Sequence, residues 1–198
     1  MAMLGVIGAA APLSWLGRGR PGVAVACALA FGCAALLPRL FSRGGLVLSP
    51  SLELLWLAPF FAAWGLGEGL ALFARVPLWD SLTHALGGAM AFALAAAWAR
   101  PRLRAGTAAL ALLGLGAALA AGGVWEIGEF ASDLLLRTAT QNGNADTMSD
   151  LCFDLVGGVA AGLLALALGR RHLERAPKRP LPRRSSIPVL LHGARGRV

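Results

Sequence analysis

The feature that most limits what this chain can fold into is a succession of sparsely charged apolar stretches, each about as long as a bilayer is thick. A helix that crosses a membrane needs about 20 apolar residues, and such stretches run over residues 21–37, 51–73, 81–99, 105–135 and 150–169. Residues 1–16 form a sixth, shorter candidate interrupted by Pro12. The breaks, "GRGRPG", "PRLFSRGG", "RVPLWD" and "RPRLRAG", are short and rich in Gly, Pro and Arg, and only "RTATQNGNAD", residues 137–146, is a longer polar loop. Composition agrees, with 57% hydrophobic and 14% charged residues against about 25% charged in a soluble domain. In lipid every backbone polar group must be satisfied within its own segment. The expected fold is therefore all-α, a polytopic transmembrane helix bundle of five or six spans.

Three regions follow: residues 1–50, an apolar segment and a first hairpin; residues 51–169, a membrane core of four helices; and residues 170–198, a basic tail rich in Pro and Arg with no periodic apolar face. The net charge of +8 does not point to nucleic acid, because nine of the eighteen Lys and Arg lie after Gly169. With six spans and the tail in the cytoplasm, fourteen of those eighteen cations fall on the inner side, as the positive-inside rule requires. The expected location is a bacterial inner membrane, with the lipid bilayer as partner and anionic lipid against the tail. The three cysteines, Cys27, Cys33 and Cys152, read as small apolar fillers. No Lys or Arg precedes Arg18, so the N-terminus does not read as a secretory signal.

In this orientation eight of the ten carboxylates, Glu68, Asp80, Glu126, Glu129, Asp133, Asp146, Asp150 and Asp154, gather with His84 at the outer side. A charge facing lipid is costly, so such residues face a bundle interior, a cavity or the bilayer edge. Residues three or four apart share a helix face, which pairs Asp80 with His84, Glu126 with Glu129, Glu129 with Asp133, and Asp150 with Asp154. Gly88 continues the first stripe, and Gly158 and Gly162 the last. Small residues mark where membrane helices approach closely.

The segments "WDSLTHALGGAMA" from Trp79 and "SDLCFDLVGGVAA" from Ser149 align without a gap at an offset of 70, matching Asp80 to Asp150 and His84 to Asp154. The preceding "WGLGEG" and "WEIGEF" align Glu68 with Glu129. The pattern predicts a parallel helix-hairpin repeat. A Glu from each of two helices plus a two-ligand turn from each of two others is the inventory of a di-metal carboxylate bundle. The candidate metal ligands are thus Glu68, Asp80, His84, Glu126, Glu129, Asp150 and Asp154, and so oxygen-rich a set suits Mg, Mn or Ca better than Zn. Capping is the bland alternative for Asp80 and Asp146, and "TMSD" also reads as a capping box of Thr147 and Asp150. Capping does not cover His84 or Asp154, a full turn deeper. Trp64, Trp79 and Trp125 read as an interfacial belt.

At "WDSLTHALGGAMA", "GVWEIGEFASD" and "QNGNADTMSDLCFDLVGG" the chain resembles the YjdF-type family of small bacterial integral membrane proteins and, more distantly, the VanZ-like membrane families. The resemblance covers residues 78–168, and Asp80, His84, Trp125, Glu126, Glu129, Asp133, Gln141, Asp146, Thr147 and Asp150 carry it. It implies a site without naming a reaction, with Asp133, Gln141, Asp146 and Thr147 as supporting or capping residues. Three functions compete. A metal-dependent hydrolase or transferase would act on a membrane-associated phosphate-containing substrate; a cation- or proton-coupled transporter would use the acids as a relay; and a structural or regulatory protein would use them as interhelical hydrogen bonds. The acids lie within about two turns of one surface, which favours the first over the second.

Overall fold

The computed structural model describes residues 12–103 and 106–175, with side chains to residue 168. Among these residues all regular structure is helical. After a short helical turn at residues 12–17 come α1 (Pro21–Arg43), α2 (Pro50–Phe60), a π-helical stretch (Phe61–Glu68), α3 (Leu72–Arg75), α4 (Trp79–Leu103), α5 (Thr107–Leu136) and α6 (Asn144–Arg175). Four helices are long and apolar enough to cross a membrane: Pro21–Arg43, Trp79–Leu103, Thr107–Leu136 and Asn144–Leu168. The candidate span at residues 1–16 lies mostly outside the described residues, as does the tail beyond residue 175.

The stretch expected to span at residues 51–73 is not one straight helix. It starts on a capped turn, where the Ser49 hydroxyl accepts from the Leu52 amide and Pro50 fills the first helical position, a place that needs no N–H donor. Pro59 removes the amide that would bond back to the Leu55 carbonyl, and from Phe61 the chain winds as a π-helix to Glu68, then turns through Ala71 at φ 56°. The Trp79 indole donates to the Ala62 carbonyl at 3.1 Å, which ties the widened stretch to α4. Trp56 ties α2 to α1 in the same manner, donating to the Ala34 carbonyl at 2.7 Å. Both indoles thus bond backbone between helices, a role for Trp79 additional to the interfacial one expected from sequence.

α4 is the central helix and packs most extensively on α6, then on α5 and α2. α4 and α6 run in the same direction and touch through glycine. A β-carbon at Gly88 would stand 1.9 Å from the Asp154 carbonyl oxygen, and one at Gly157 would stand 1.8 Å from that of Ala85. Lower in the bundle the Phe92 ring fills the space left by Gly114 of α5 and Gly162 of α6. The outward faces of α5 and α6 expose Leu112, Leu119, Ile127, Leu134, Val156, Leu163 and Leu164. So large an apolar exterior fits lipid rather than water.

Candidate metal centre

The i, i+4 spacing of Asp80 and His84, and of Asp150 and Asp154, puts each pair on one helix face, and the glycine contact turns both faces toward one another. The result is a cluster centred on His84, which is buried among Glu126, Asp150 and Asp154 with half-buried Asp80 at the rim. The two imidazole nitrogens have different partners. Nδ1 lies 3.2 Å from Asp154 Oδ2, whereas Nε2 faces Glu126 Oε1 at 3.6 Å, Asp80 Oδ1 at 3.9 Å and Asp150 Oδ2 at 3.9 Å. An ionised carboxylate only accepts, so the imidazole donates from Nδ1 to Asp154, and Nε2 faces the other three acids, where its lone pair becomes available to a cation once that nitrogen carries no proton.

Those three distances exceed hydrogen-bonding range yet suit ligands of one ion. Donor atoms of Asp80, His84 and Asp150 lie within 4.8 Å of one another, and ligands about 2.4 Å from one calcium ion stand at most about 5 Å apart. The group can hold a metal ion. Glu126 is held toward the same space by a chain of donors: Thr147 Oγ1 donates to Glu126 Oε2 at 2.8 Å, and Gln141 Nε2 donates to Thr147 Oγ1 at 3.3 Å. The other carboxylate oxygen, Glu126 Oε1, is fully buried without a hydrogen-bond partner, in a residue only 5% exposed. An unpaired buried acceptor costs about 1–3 kcal/mol, more when charged, and a cation beside His84 Nε2 would satisfy it.

Asp133 does other work. Its carboxylate accepts from the Thr138 hydroxyl, the Thr140 amide at 2.7 Å, the Thr140 hydroxyl at 2.8 Å and the Gln141 amide at 2.9 Å. It thereby folds the loop after α5, which passes through positive φ at Arg137 and Ala139, and sets Gln141 at the head of the donor chain. Arg20 closes the loop from the N-terminal side by donating to the Thr138 carbonyl at 2.9 Å.

Of the seven ligands proposed from sequence, the structure brings Asp80, Glu126, Asp150 and Asp154 within 4 Å of His84, sets Glu129 beside the group with Glu126, Asp80 and His84 as its electrostatic neighbours, and places Glu68 in different surroundings. Glu129 accepts from the Trp125 indole at 3.0 Å. Glu68, at the end of the π-helical stretch, has Arg20 and Cys27 as its electrostatic neighbours. The capping-box reading of "TMSD" does not hold: α6 begins at Asn144, so Thr147 and Asp150 lie inside it, and the Thr147 hydroxyl serves Glu126. Asp146 sits in the first turn and accepts from the Asn142 amide group at 3.1 Å.

Trp125, one of the residues that carry the family resemblance, stands edge-on to the His84 ring at 6.5 Å; Gly122 has no counterpart among the residues singled out from sequence. Gly122 makes room for Asp154, since a β-carbon there would stand 1.9 Å from Asp154 Oδ2. It precedes Glu126 by one turn, the same spacing that drew attention to Gly88.

No curated protein and no solved structure matches this chain. A family model does match, over residues 1–171; it takes in every residue of the cluster and all four spanning helices, and the chain belongs to the family described as "Predicted membrane protein (DUF2238)".

Proposed function

We propose that this multi-pass membrane protein binds a divalent cation, Mg, Mn or Ca, through Asp80, His84 Nε2, Asp150 and Glu126 Oε1, and uses it for hydrolysis or transfer on a membrane-associated phosphate-containing substrate. The observation that carries the reading is the buried, unpartnered Glu126 Oε1 facing His84 Nε2 beside two further carboxylates. Asp154 is then an orienting residue rather than a ligand. Metal-bound histidines commonly donate their other N–H to a carboxylate that fixes the ring and raises its basicity. When bound, the cation supplies charge neutralisation for a phosphate and lowers the pKa of a coordinated water.

Hydrolysis or transfer ranks ahead of transport for a structural reason. Among the described residues the buried polar side chains are Thr83, His84, Glu126, Thr138, Asp150 and Asp154, all at one end of the bundle, with no buried polar step beyond Asp154. The orientation belongs to the same proposal: the site end faces outward, and the arginine-rich end and the tail face the cytoplasm of a bacterial cell. So does the hairpin duplication, supported by the parallel course of α4 and α6, although the π-helical end of α2 has no counterpart in the regular α5.

Purified protein, stripped of metal and reloaded with Mg, Mn or Ca, should release phosphate from a lipid phosphate in nanodiscs, and Asp150→Asn should abolish the release. Equal turnover with and without cation, or by the Asp150→Asn protein, contradicts the reading.

A further inference from the structure

Behind His84, on the side away from the proposed cation, lies a cavity with room of about 60 Å³ for water-sized molecules. Its polar end is made by His84, Asp154 and Thr83, and the rest of the lining is apolar, including Phe60, Met90, Ala121 and Trp125. Asp154 reaches His84 through Oδ2 alone. Among the described residues its Oδ1 makes no hydrogen bond, although the residue is 2% exposed. The Thr83 hydroxyl already spends its hydrogen on the Asp80 carbonyl at 2.7 Å. The polar end therefore offers acceptors and lacks a donor.

We infer that this cavity is a binding site for the hydroxyl end of a membrane-resident alcohol, a lipid whose O–H donates to Asp154 Oδ1 while its first carbons lie against Phe60, Met90 and Ala121. A single water at the polar end could use Asp154 Oδ1 and the Thr83 oxygen, but an ordered buried water needs two to four polar partners, and the apolar remainder of the cavity supplies none to further waters. An ammonium lipid would also donate to Asp154, but it would place a second positive charge directly behind His84 from the cation; choosing hydroxyl over ammonium rests on the metal reading above. Three of the surrounding helices, α4, α5 and α6, are long and apolar enough to cross a bilayer, so a lipid needs no passage through water to reach them. The wall formed by Pro59 and Phe60 immediately precedes the π-helical stretch, and π-helical turns are frequent at functional sites.

Photolabelling of the full chain in nanodiscs tests this, using three long-chain probes with a diazirine near the polar end: a primary alcohol, its methyl ether and the matching primary amine. Manganese binding is titrated on the same samples. The alcohol should label Met90, Ala121 or Trp125 at least about tenfold more than the ether, about the worth of one hydrogen bond to a charged acceptor. Ala121→Leu, which fills the cavity, and Gly87→Ala, whose β-carbon would stand 3.6 Å from Asp154 Oδ1, should each remove that preference while leaving manganese affinity within about twofold. Equal labelling by alcohol and ether, or labelling confined to outward residues such as Leu112 and Leu163, overturns the proposal, the latter meaning a water-filled cavity. Stronger labelling by the amine overturns the choice of hydroxyl. Absence of bound manganese with the alcohol preference intact overturns the metal reading and spares this one.

Discussion

His84 Nδ1 and Asp154 Oδ2 meet at 3.2 Å across seventy positions of sequence, and this contact joins the two aligned segments at equivalent residues. It divides the imidazole between an orienting carboxylate and a group of ligand acids. Asp154→Asn should therefore weaken manganese binding by about 10- to 100-fold, the usual cost of losing a partner that orients a ligand, without removing the site. Asp150→Asn, which loses a ligand, should cost more. A manganese titration that ranks the two variants in the opposite order would move Asp154 into the ligand set.

Glu126 depends on Thr147 for its orientation, through a 2.8 Å hydrogen bond. Thr147→Val keeps the volume and loses the donor, and should weaken cation binding by about tenfold. Gln141→Ala, one step further from the site at 3.3 Å, should have the smaller effect in the same titration.

The glycines at the α4 and α6 contact set the distance between the acids. Gly157→Ala pushes a β-carbon into the Ala85 carbonyl at 1.8 Å and should destabilise the protein by about 1–3 kcal/mol, the usual cost of overpacking, with loss of cation binding. Gly123→Ala and Gly128→Ala on α5, where a β-carbon meets nothing within 4 Å, should be neutral or slightly stabilising through helix propensity. Thermal unfolding in one detergent compares all three.

Asp133 holds the loop after α5 rather than the cation. Asp133→Asn should speed amide exchange at Thr140 and Gln141, both of which donate to that carboxylate. Its effect on manganese affinity should be smaller than that of Thr147→Val, because it acts only through Gln141. Hydrogen exchange read by mass spectrometry over residues 137–143 makes the comparison.

The helical membrane character and the pairs Asp80 with His84 and Asp150 with Asp154 were legible because apolar length and four-residue spacing are direct consequences of helix geometry. The break in α2 was not, since an apolar run looks the same whether it winds as α or π; Pro59 was the available signal. Glu68 and Glu129 were drawn into the site by an alignment that matches them to each other. The cluster forms instead where α4 and α6 touch, and α5 meets that contact through Glu126, with Glu129 one turn further along beside it and bonded to Trp125. The split of the imidazole between Asp154 and the other acids depends on how closely the backbones approach at Gly88 and Gly157, a distance that spacing within one helix cannot give.

The most direct measurement of the central claim is pulsed electron paramagnetic resonance of manganese bound to the purified protein, which detects a nitrogen coordinated to the ion. The metal reading predicts one bound manganese with a single imidazole nitrogen coupling, lost in His84→Ala and kept when the tail histidines, His172 and His192, are replaced. A manganese ion without that coupling, or a coupling that survives His84→Ala, would contradict it and leave the acids around His84 as interhelical hydrogen-bonding groups.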